Sequence, residues 1–407
     1  MSEADYSFGN IDRTEGGEVK LLQGMRVLDL GMYIAGPCTA ALLADLGADV
    51  VKVELPKAGD PFRKHGKEEL YSTQFQTLNR NKRSVTVDFT QPEGLAVLRR
   101  LVETADVFIV NSRPGVTDKL GISYAAMKAV NPCIIYCAIT GFGSSGPYSQ
   151  RPAFDSVGQA LSGWSSRHRH GNDPRVTGPA LADPVTSFYA ALGIQAAYID
   201  RARTGLGHLV EVSLIESMIG LNGQAIMQYF SSGKVPGVYD RAASSQAYNV
   251  TCKDGKRVGL QVSSVGKFFE AMCRAVGREE WLTKYPDRAA RVGAYESLSS
   301  ELNEIFLTRN RDEWLPVLEA AGFPFAPELD VQDLEEDLHL KHIGMFYETE
   351  HPVFGKVKGP HRPERVDGSR EIEFRPPPGL GEHTAEILSD AGYTMDEIDT
   401  LRNSGIV

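Results

Sequence analysis

The sequence predicts an α/β fold: a doubly wound parallel sheet in a large domain, with a smaller α+β domain beside it in the chain. Two observations carry this expectation. Between Met25 and Thr140, short buried-type apolar runs of strand length alternate with runs of helix length. After about Met227 that alternation stops, and a hairpin followed by helical segments takes its place.

Met25 to Gly31 (MRVLDLG) reads as a buried strand, Thr39 to Gly47 (TAALLADLG) as a short helix and Ala48 to Glu54 (ADVVKVE) as a second strand, which makes a βαβ unit. Ser84 to Phe89 alternates as a strand should. Pro92 to Ala105 opens on proline and carries an apolar stripe, so it reads as a helix. Asp106 to Asn111 and Ile134 to Thr140 are two further strands. Ligands of such a sheet lie at the carboxyl ends of its strands. Beyond it, Tyr248 to Val262 forms a hairpin turning at Asp254-Gly255, and Lys267 to Gly277 and Glu301 to Thr308 are helices. A second hairpin spans Met345 to Gly359 with its turn near Phe354-Gly355, and two short helices close the chain. The expected boundaries are 1–227 for the first part of the large domain, 228–345 for a linker and the small domain, whose α+β body runs from Gln246 to about His342, and 346–407 for a return to the large domain.

The chain has 407 residues, 42% hydrophobic and 24% charged, with a net charge of −10. An acidic protein of this kind offers no basic face to nucleic acid. No stretch of about twenty apolar residues marks a membrane span, and the polar, acidic start is unlike a secretion signal, so a cytoplasmic protein is expected. Its five cysteines form no CxxC pair and have no histidine at zinc spacing. Neither a disulfide framework nor a metal is expected.

The first strand-to-helix turn, GMYIAGPCTA, lacks the GxGxxG spacing of a dinucleotide loop, which argues against a nicotinamide enzyme. Gly36-Pro37 reads equally as a plain turn or as a loop that a ligand approaches. NRNKRS (Asn79 to Ser84) places three cations just before a strand, as a solvated charge run or a phosphate site. Arg113 and Lys119 follow a strand end, where a polyanion would lie. Asp183 is the only charge between Arg175 and Asp200. With Pro184 after it and an apolar helix expected from Val185 to Ile199, it reads first as a helix N-cap. That helix is apolar on nearly every side, which predicts burial. Nothing matches a nucleophile elbow, a P-loop, HExxH or a glycosidase carboxylate pair.

Taken in order, LDLGMYIAGPCTAALLADLGADVVKVELPKAGDPFR, LNRNKRSVTVDF, DVFIVNSRPGVTDKLG, ITGFGSSGPY, FDSVGQALSG and the closing GEHTAEIL resemble the family III CoA-transferases over nearly the whole chain. The resemblance implies a Rossmann-like large domain built from both chain ends, a small domain between them, and two interlocked subunits, as a homodimer or with a related subunit. It implies coenzyme A as co-substrate, with acyl-CoA and carboxylic acids as partners and no metal. The family's catalytic aspartate stands about thirty residues beyond the FDxVxQA-like block, which falls on Asp183. A helix N-terminus would stabilise that carboxylate as a nucleophile forming an aspartyl-CoA thioester.

Carried over position by position, the CoA contacts fall on Ile34 and Ala35, on Val87, Asp88, Phe89 and Thr90, on Asn111, Ser112 and Arg113, on Lys119, and on Arg151, Pro152, Ala153 and Phe154. Oxyanion donors fall on the Ile34-Ala35-Gly36 loop and, from the small domain, on the Ser263-Ser264-Val265-Gly266 loop, with Gly36, Ser263, Ser264 and Gly266 also as substrate contacts. The family often has Gln where Ile34 stands, a cation where Leu55 stands and glycines where Ser263 and Ser264 stand. Racemases of the same superfamily place a histidine where Phe154 stands, and Phe cannot carry a proton. The expected reaction moves CoA from an acyl-CoA, with succinyl-CoA the first choice, to a dicarboxylate or an aryl-substituted succinate such as benzylsuccinate. In the loop from Ser166 to Asp173, Arg167 or Arg169 is a candidate for the remote carboxylate of such an acid, against a plain solvated loop.

Overall fold

The computed structural model describes residues 20–64, 72–169, 171, 173–264, 266–351, 355–370 and 374–407. The chain divides into two compact units: one runs to Gln224 and resumes over Gly344–Val407, and the other is Ala225–Ile343.

In the first unit, β1 (Arg26–Asp29), β2 (Asp49–Glu54), β3 (Lys82–Thr86), β4 (Val107–Val110), β5 (Ile135–Thr140) and β6 (Leu209–Ser213) form one sheet in the order β3-β2-β1-β4-β5-β6. Every neighbouring pair is parallel. The strand period of two sends alternate residues to opposite faces. Val27, Val107, Ile109, Ile135 and Cys137 thus join one buried cluster, and Leu28, Phe108, Val110 and Tyr136 join the other. Helices cover both faces, because each face is apolar. The closing helices Thr384–Asp390 and Met395–Asn403 deliver Ile387, Leu388 and Ile398 to the second cluster, so the chain's end completes the core begun near its start.

The strands and the first helices stand within a few residues of the expected positions. β6 is absent from the sequence reading because it is a short edge strand with Leu209 and Glu211 exposed, so it lacks an apolar run. The second unit contains the expected hairpin, β7 (Ala247–Thr251) with β8 (Arg257–Gln261), its turn at Gly255 in the left-handed region at φ 77°. β9 (Phe325–Pro327) adds a third strand to it. The helices Lys267–Ala275 and Tyr295–Phe306 contribute Phe269, Met272, Leu298 and Leu302 to that unit's core. In the first unit β10 (Phe346–His351) pairs antiparallel with β11 (Gly355–Pro360); Phe354, expected at the turn, lies outside the described residues.

The phosphate reading of NRNKRS is corrected here. Arg80 pairs with Asp45, Arg83 binds Asp49, Glu386 and Asp390, and Lys82 is buried 2.8 Å from Asp29. All three cations are held by carboxylates of the fold itself. Among the described residues no helix is long and apolar enough to cross a membrane.

Candidate active site

The strand order reverses between β1 and β4, so the loops leaving those strands diverge and open a crevice. After β1 the chain turns into the helix Ala35–Ala44 within five residues, and buried polar groups hold that turn. The Gly31 N–H donates to Asp29 Oδ1 at 2.8 Å, and Lys52 Nζ donates to the Gly31 carbonyl at 2.9 Å. Asn111, at the end of β4, grips Met32 from both sides: its Oδ1 accepts from the Met32 N–H at 2.9 Å and its Nδ2 donates to the Met32 carbonyl at 2.6 Å. The Tyr33 N–H donates to Asp60 Oδ1 at 3.3 Å. Tyr33 itself sits at φ 63°, a conformation that costs a non-glycine residue backbone energy. Gly31 and Gly36 close the turn against each other. A Cβ on either would lie 2.7 Å from the other's Cα, so only glycine fits at both.

Asp183 stands in the first turn of the helix Ala182–Thr204, but it is not the N-cap; Leu181 occupies that position. The capping is done by another residue. Asp155 Oδ2, from the helix Asp155–Leu161, accepts from the Asp183 N–H at 3.1 Å. A carboxylate that does not cap its own helix is free to face outward. Close packing makes this possible: a Cβ on Gly158 would lie 3.0 Å from Ala182 Cβ and 3.1 Å from Leu214 Cβ, so Gly158 lets the two helices meet. The Ser187 hydroxyl lies 2.9 Å from both the Ala35 and the Asp183 carbonyls and ties the Asp183 helix to the first strand-to-helix turn.

Burial, and after it the neighbouring charge of Asp155, together push the Asp183 carboxyl up to about 7. The expected stabilisation by the helix N-terminus is therefore outweighed by desolvation. Burial of that helix is also one-sided: Thr186, Ala190 and Ile194 are buried, whereas Phe188, Leu192 and Ile199 are exposed.

Asp183 opens into a cavity of about 150 Å³. Of the residues singled out in the sequence, Ile34, Ala35, Asn111, Ser112, Arg113, Arg151, Ala153, Phe154 and Asp183 line it together. Met32, Tyr33, Ile139, Thr140, Gly141 and Leu214 complete it. A second cavity, of about 280 Å³ and mainly apolar, lies over the ends of β1, β2 and β4 and takes in Phe89 and Thr90. Met32 and Ser112 line both, so the two cavities adjoin along the crevice.

The other expected contacts lie apart from Asp183. Val87 is fully buried in the core. The Asp88 N–H donates to the Ile406 carbonyl, and its carboxylate accepts from the Thr90 N–H. Lys119 is exposed at the end of the short helix Val116–Lys119, beside the apolar cavity's Val116 and Leu120. Pro152 faces a shallower depression with Phe142 and Tyr148. Gly36 is buried against Gly31 and does not line the cavity. Ser263, Ser264 and Gly266 belong to the second unit, where Gly266 caps the helix Lys267–Ala275; Val265 lies outside the described residues.

The Ser166-to-Asp173 segment begins as helix, since Trp164–His168 is one turn with the His168 ring stacked on Trp164. Arg167 Nη1 donates to Asn222 Oδ1 at 2.9 Å, and Arg169 lines a separate cavity with Asp173 and Arg175. Neither lines the Asp183 cavity. Sequence reasoning missed Asp155, although an acid opening a helix beside the Asp183 region was a visible signal. Ile139 to Gly141 could have been found from the rule that ligands sit at strand carboxyl ends. Leu214 carried no such signal.

A model of CoA-transferase family III matches residues 22–384. The chain is 33% identical over 405 residues to succinyl-CoA:glutarate CoA-transferase of Homo sapiens, covering 97% of this chain and 92% of that one. It is 32% identical over 416 residues to formyl-CoA:oxalate CoA-transferase of Rhodopseudomonas palustris, covering 95% and 97% respectively. Among solved structures, a CAIB/BAIF family protein from Brucella suis superposes with a TM-score of 0.80 at 34% identity, covering 92% of this chain and all of that one.

Proposed function

This chain belongs to CoA-transferase family III and is a CoA-transferase, and we propose that it moves CoA from succinyl-CoA to a small free dicarboxylic acid through a covalent intermediate on Asp183. The observation that carries the reading is the Asp183 carboxylate, left free by Asp155's capping and opening into the cavity that adjoins the apolar crevice. The crevice suits an elongated cofactor: adenine against Phe89, Val110 and Ile122, the pantetheine chain past Met32 and Ser112, and the thioester at Asp183. Lys119 and Arg113 stand where phosphates would pass, and charge-assisted contacts there would serve every CoA donor alike.

In the proposed sequence the ionised Asp183 attacks the thioester carbonyl carbon, the C–S bond breaks, and CoA leaves as a thiolate while Asp183 and the donor acyl group remain joined as a mixed anhydride. The thiolate then attacks the Asp183 carbonyl, releasing the donor acid as its carboxylate and leaving an aspartyl-CoA thioester. An acceptor carboxylate attacks that thioester, and the same two steps in reverse yield the new acyl-CoA and free Asp183. No proton is gained or lost over the cycle. Each tetrahedral oxyanion needs donors, and backbone N–H groups of Ile34 and Ala35, two residues that line the cavity, would supply them in this reading.

Racemisation would need two proton carriers, and no histidine lines the Asp183 cavity among the described residues. The acid class rests on the two curated relatives, whose names pair CoA with glutarate and with oxalate. A cavity of about 150 Å³ favours a short unbranched acid over a benzylsuccinate. The test is to incubate the protein with a panel of acyl-CoA donors and free acids and to read products and protein mass. A CoA adduct on the wild type, with no adduct and no transfer in Asp183→Ala, is the expected result. An Asp183→Ala protein that still transfers CoA would sink the covalent reading.

A further inference from the structure

We infer that Tyr33 is a specificity-determining residue, whose ring limits the bulk of the acid that reaches Asp183. Tyr33 lines the Asp183 cavity. It does so from a left-handed backbone at φ 63°, which a bulky residue adopts only when its surroundings impose it. Those surroundings are anchored on buried charge: Asp60 holds the Tyr33 N–H, Lys52 lies 3.0 Å from Asp60, and Asn111 and the buried Asp29 hold the two preceding residues. The side chain is fixed as well. Its ring meets Phe62 and Phe154 edge to face, each at 5.5 Å between centroids. Phe154 in turn precedes Asp155, the residue that caps the Asp183 helix.

This arrangement has no evident structural purpose for the phenol. Tyr33 is about one third exposed, and its hydroxyl has no hydrogen-bond partner among the described residues. A glycine or asparagine would take the same backbone with less strain. What the tyrosine adds is a fixed aromatic wall on a cavity of about 150 Å³, a volume of the kind that accepts one benzene-sized molecule. The acid must share that volume with the thioester, so an aryl branch has to be accommodated against the wall, whereas an unbranched acid need only pass along it.

The inference rests on the Asp183 cavity as the acid's site, a premise that fails separately through an active Asp183→Ala protein. The experiment compares wild type, Tyr33→Phe and Tyr33→Asn, using whichever donor loads the wild type in the panel above. Glutarate and a phenyl-substituted succinate serve as acceptors, with the affinity for free CoA and the thermal midpoint measured beside them. Tyr33→Asn, which keeps a side chain tolerant of the left-handed backbone, should shift the ratio of kcat/KM toward the phenyl acid on the order of tenfold or more, the scale at which a pocket discriminates size. Tyr33→Phe, which keeps the ring, should leave that ratio where it was, and free CoA should bind all three alike. Parallel losses for both acids in Tyr33→Asn, an unchanged ratio, or a ratio shifted equally by Tyr33→Phe would each overturn the assignment.

Discussion

Asp183 shows how a residue's neighbours set its chemistry. Only the ionised carboxylate is a nucleophile, and burial, with Asp155 adding to the rise, holds its pKa up at about 7. Transfer is therefore expected to climb with pH, about tenfold per unit below that pKa, and to level off above it. Asp155→Asn removes the second cause while keeping an acceptor for the Asp183 N–H. The Asp183 pKa then falls, and the acid limb of kcat/KM between pH 5 and 9 should move to lower pH. A limb that stays put, or moves up, would show that Asp155 does not act on Asp183. Stability follows the same linkage. A carboxyl raised above its ordinary 3.8 binds a proton more tightly when folded, so its contribution falls as pH rises from about 4 to about 7. Without ligand, Asp183→Asn should match the wild type's thermal midpoint near pH 4 and exceed it by pH 8. At this scale Asp183 was legible as an isolated acid heading an apolar helix. Its capping role was misread, because the helix begins one residue earlier and the cap comes from Asp155, 28 residues away.

The elements are joined by buried charge. Lys82, on β3, donates to Asp29 on β1, to the Pro37 carbonyl and to Asn79 Oδ1 at 2.8 to 2.9 Å. Lys52, on β2, reaches Gly31 and Asp60, and Glu54 meets Arg63 through two short hydrogen bonds. These contacts converge on the turn that carries Tyr33, Ile34 and Ala35. Replacing one partner of a buried pair leaves the other charge unpaired, which typically costs about 3 to 5 kcal/mol. Lys82→Met, similar in length and unable to pair, should lower stability by up to about that amount in denaturant unfolding, because Asp29 keeps only the more distant Lys52, at 3.9 Å, as a cationic partner. The double variant Lys82→Met with Asp29→Leu should recover part of the loss, because no lone charge remains. A single variant as stable as the wild type would show that the network does not hold the turn.

Over the whole molecule, the Ala182–Thr204 helix is the anomaly. Its sequence reads as a fully buried helix, yet Phe188, Leu192 and Ile199 are 58%, 65% and 65% exposed. Apolar side chains in such numbers mark an interaction surface more often than a bare one. A second copy of the chain is the expected cover, in keeping with the interlocked pair that the family resemblance implies. Sedimentation of the wild type should give a dimer, and Leu192→Glu, which places a charge on the exposed face, should sediment as a monomer or at a concentration-dependent position between the two. A monomeric wild type would remove this reading.

By itself the sequence determined the alternation of strand and helix and, through blocks such as AGPCTA, NRNKRS and FDSVGQA, the family. Those are local signals, because strand and helix periods are written into a few consecutive residues. The order of the strands, and hence the crevice between β1 and β4, was expected only as a class and was decided by how six strands pair. So was the purpose of each charge. Arg80, Lys82 and Arg83 look alike in the chain, and only the carboxylates brought to them from 34 to 307 residues away show that they bind the fold and not a phosphate. Tyr33 carried no sequence signal at all. Its strained backbone and its place on the wall of the Asp183 cavity exist only where Asp60, Asn111 and Phe154 converge, and residues that distant in the chain meet only in the folded molecule.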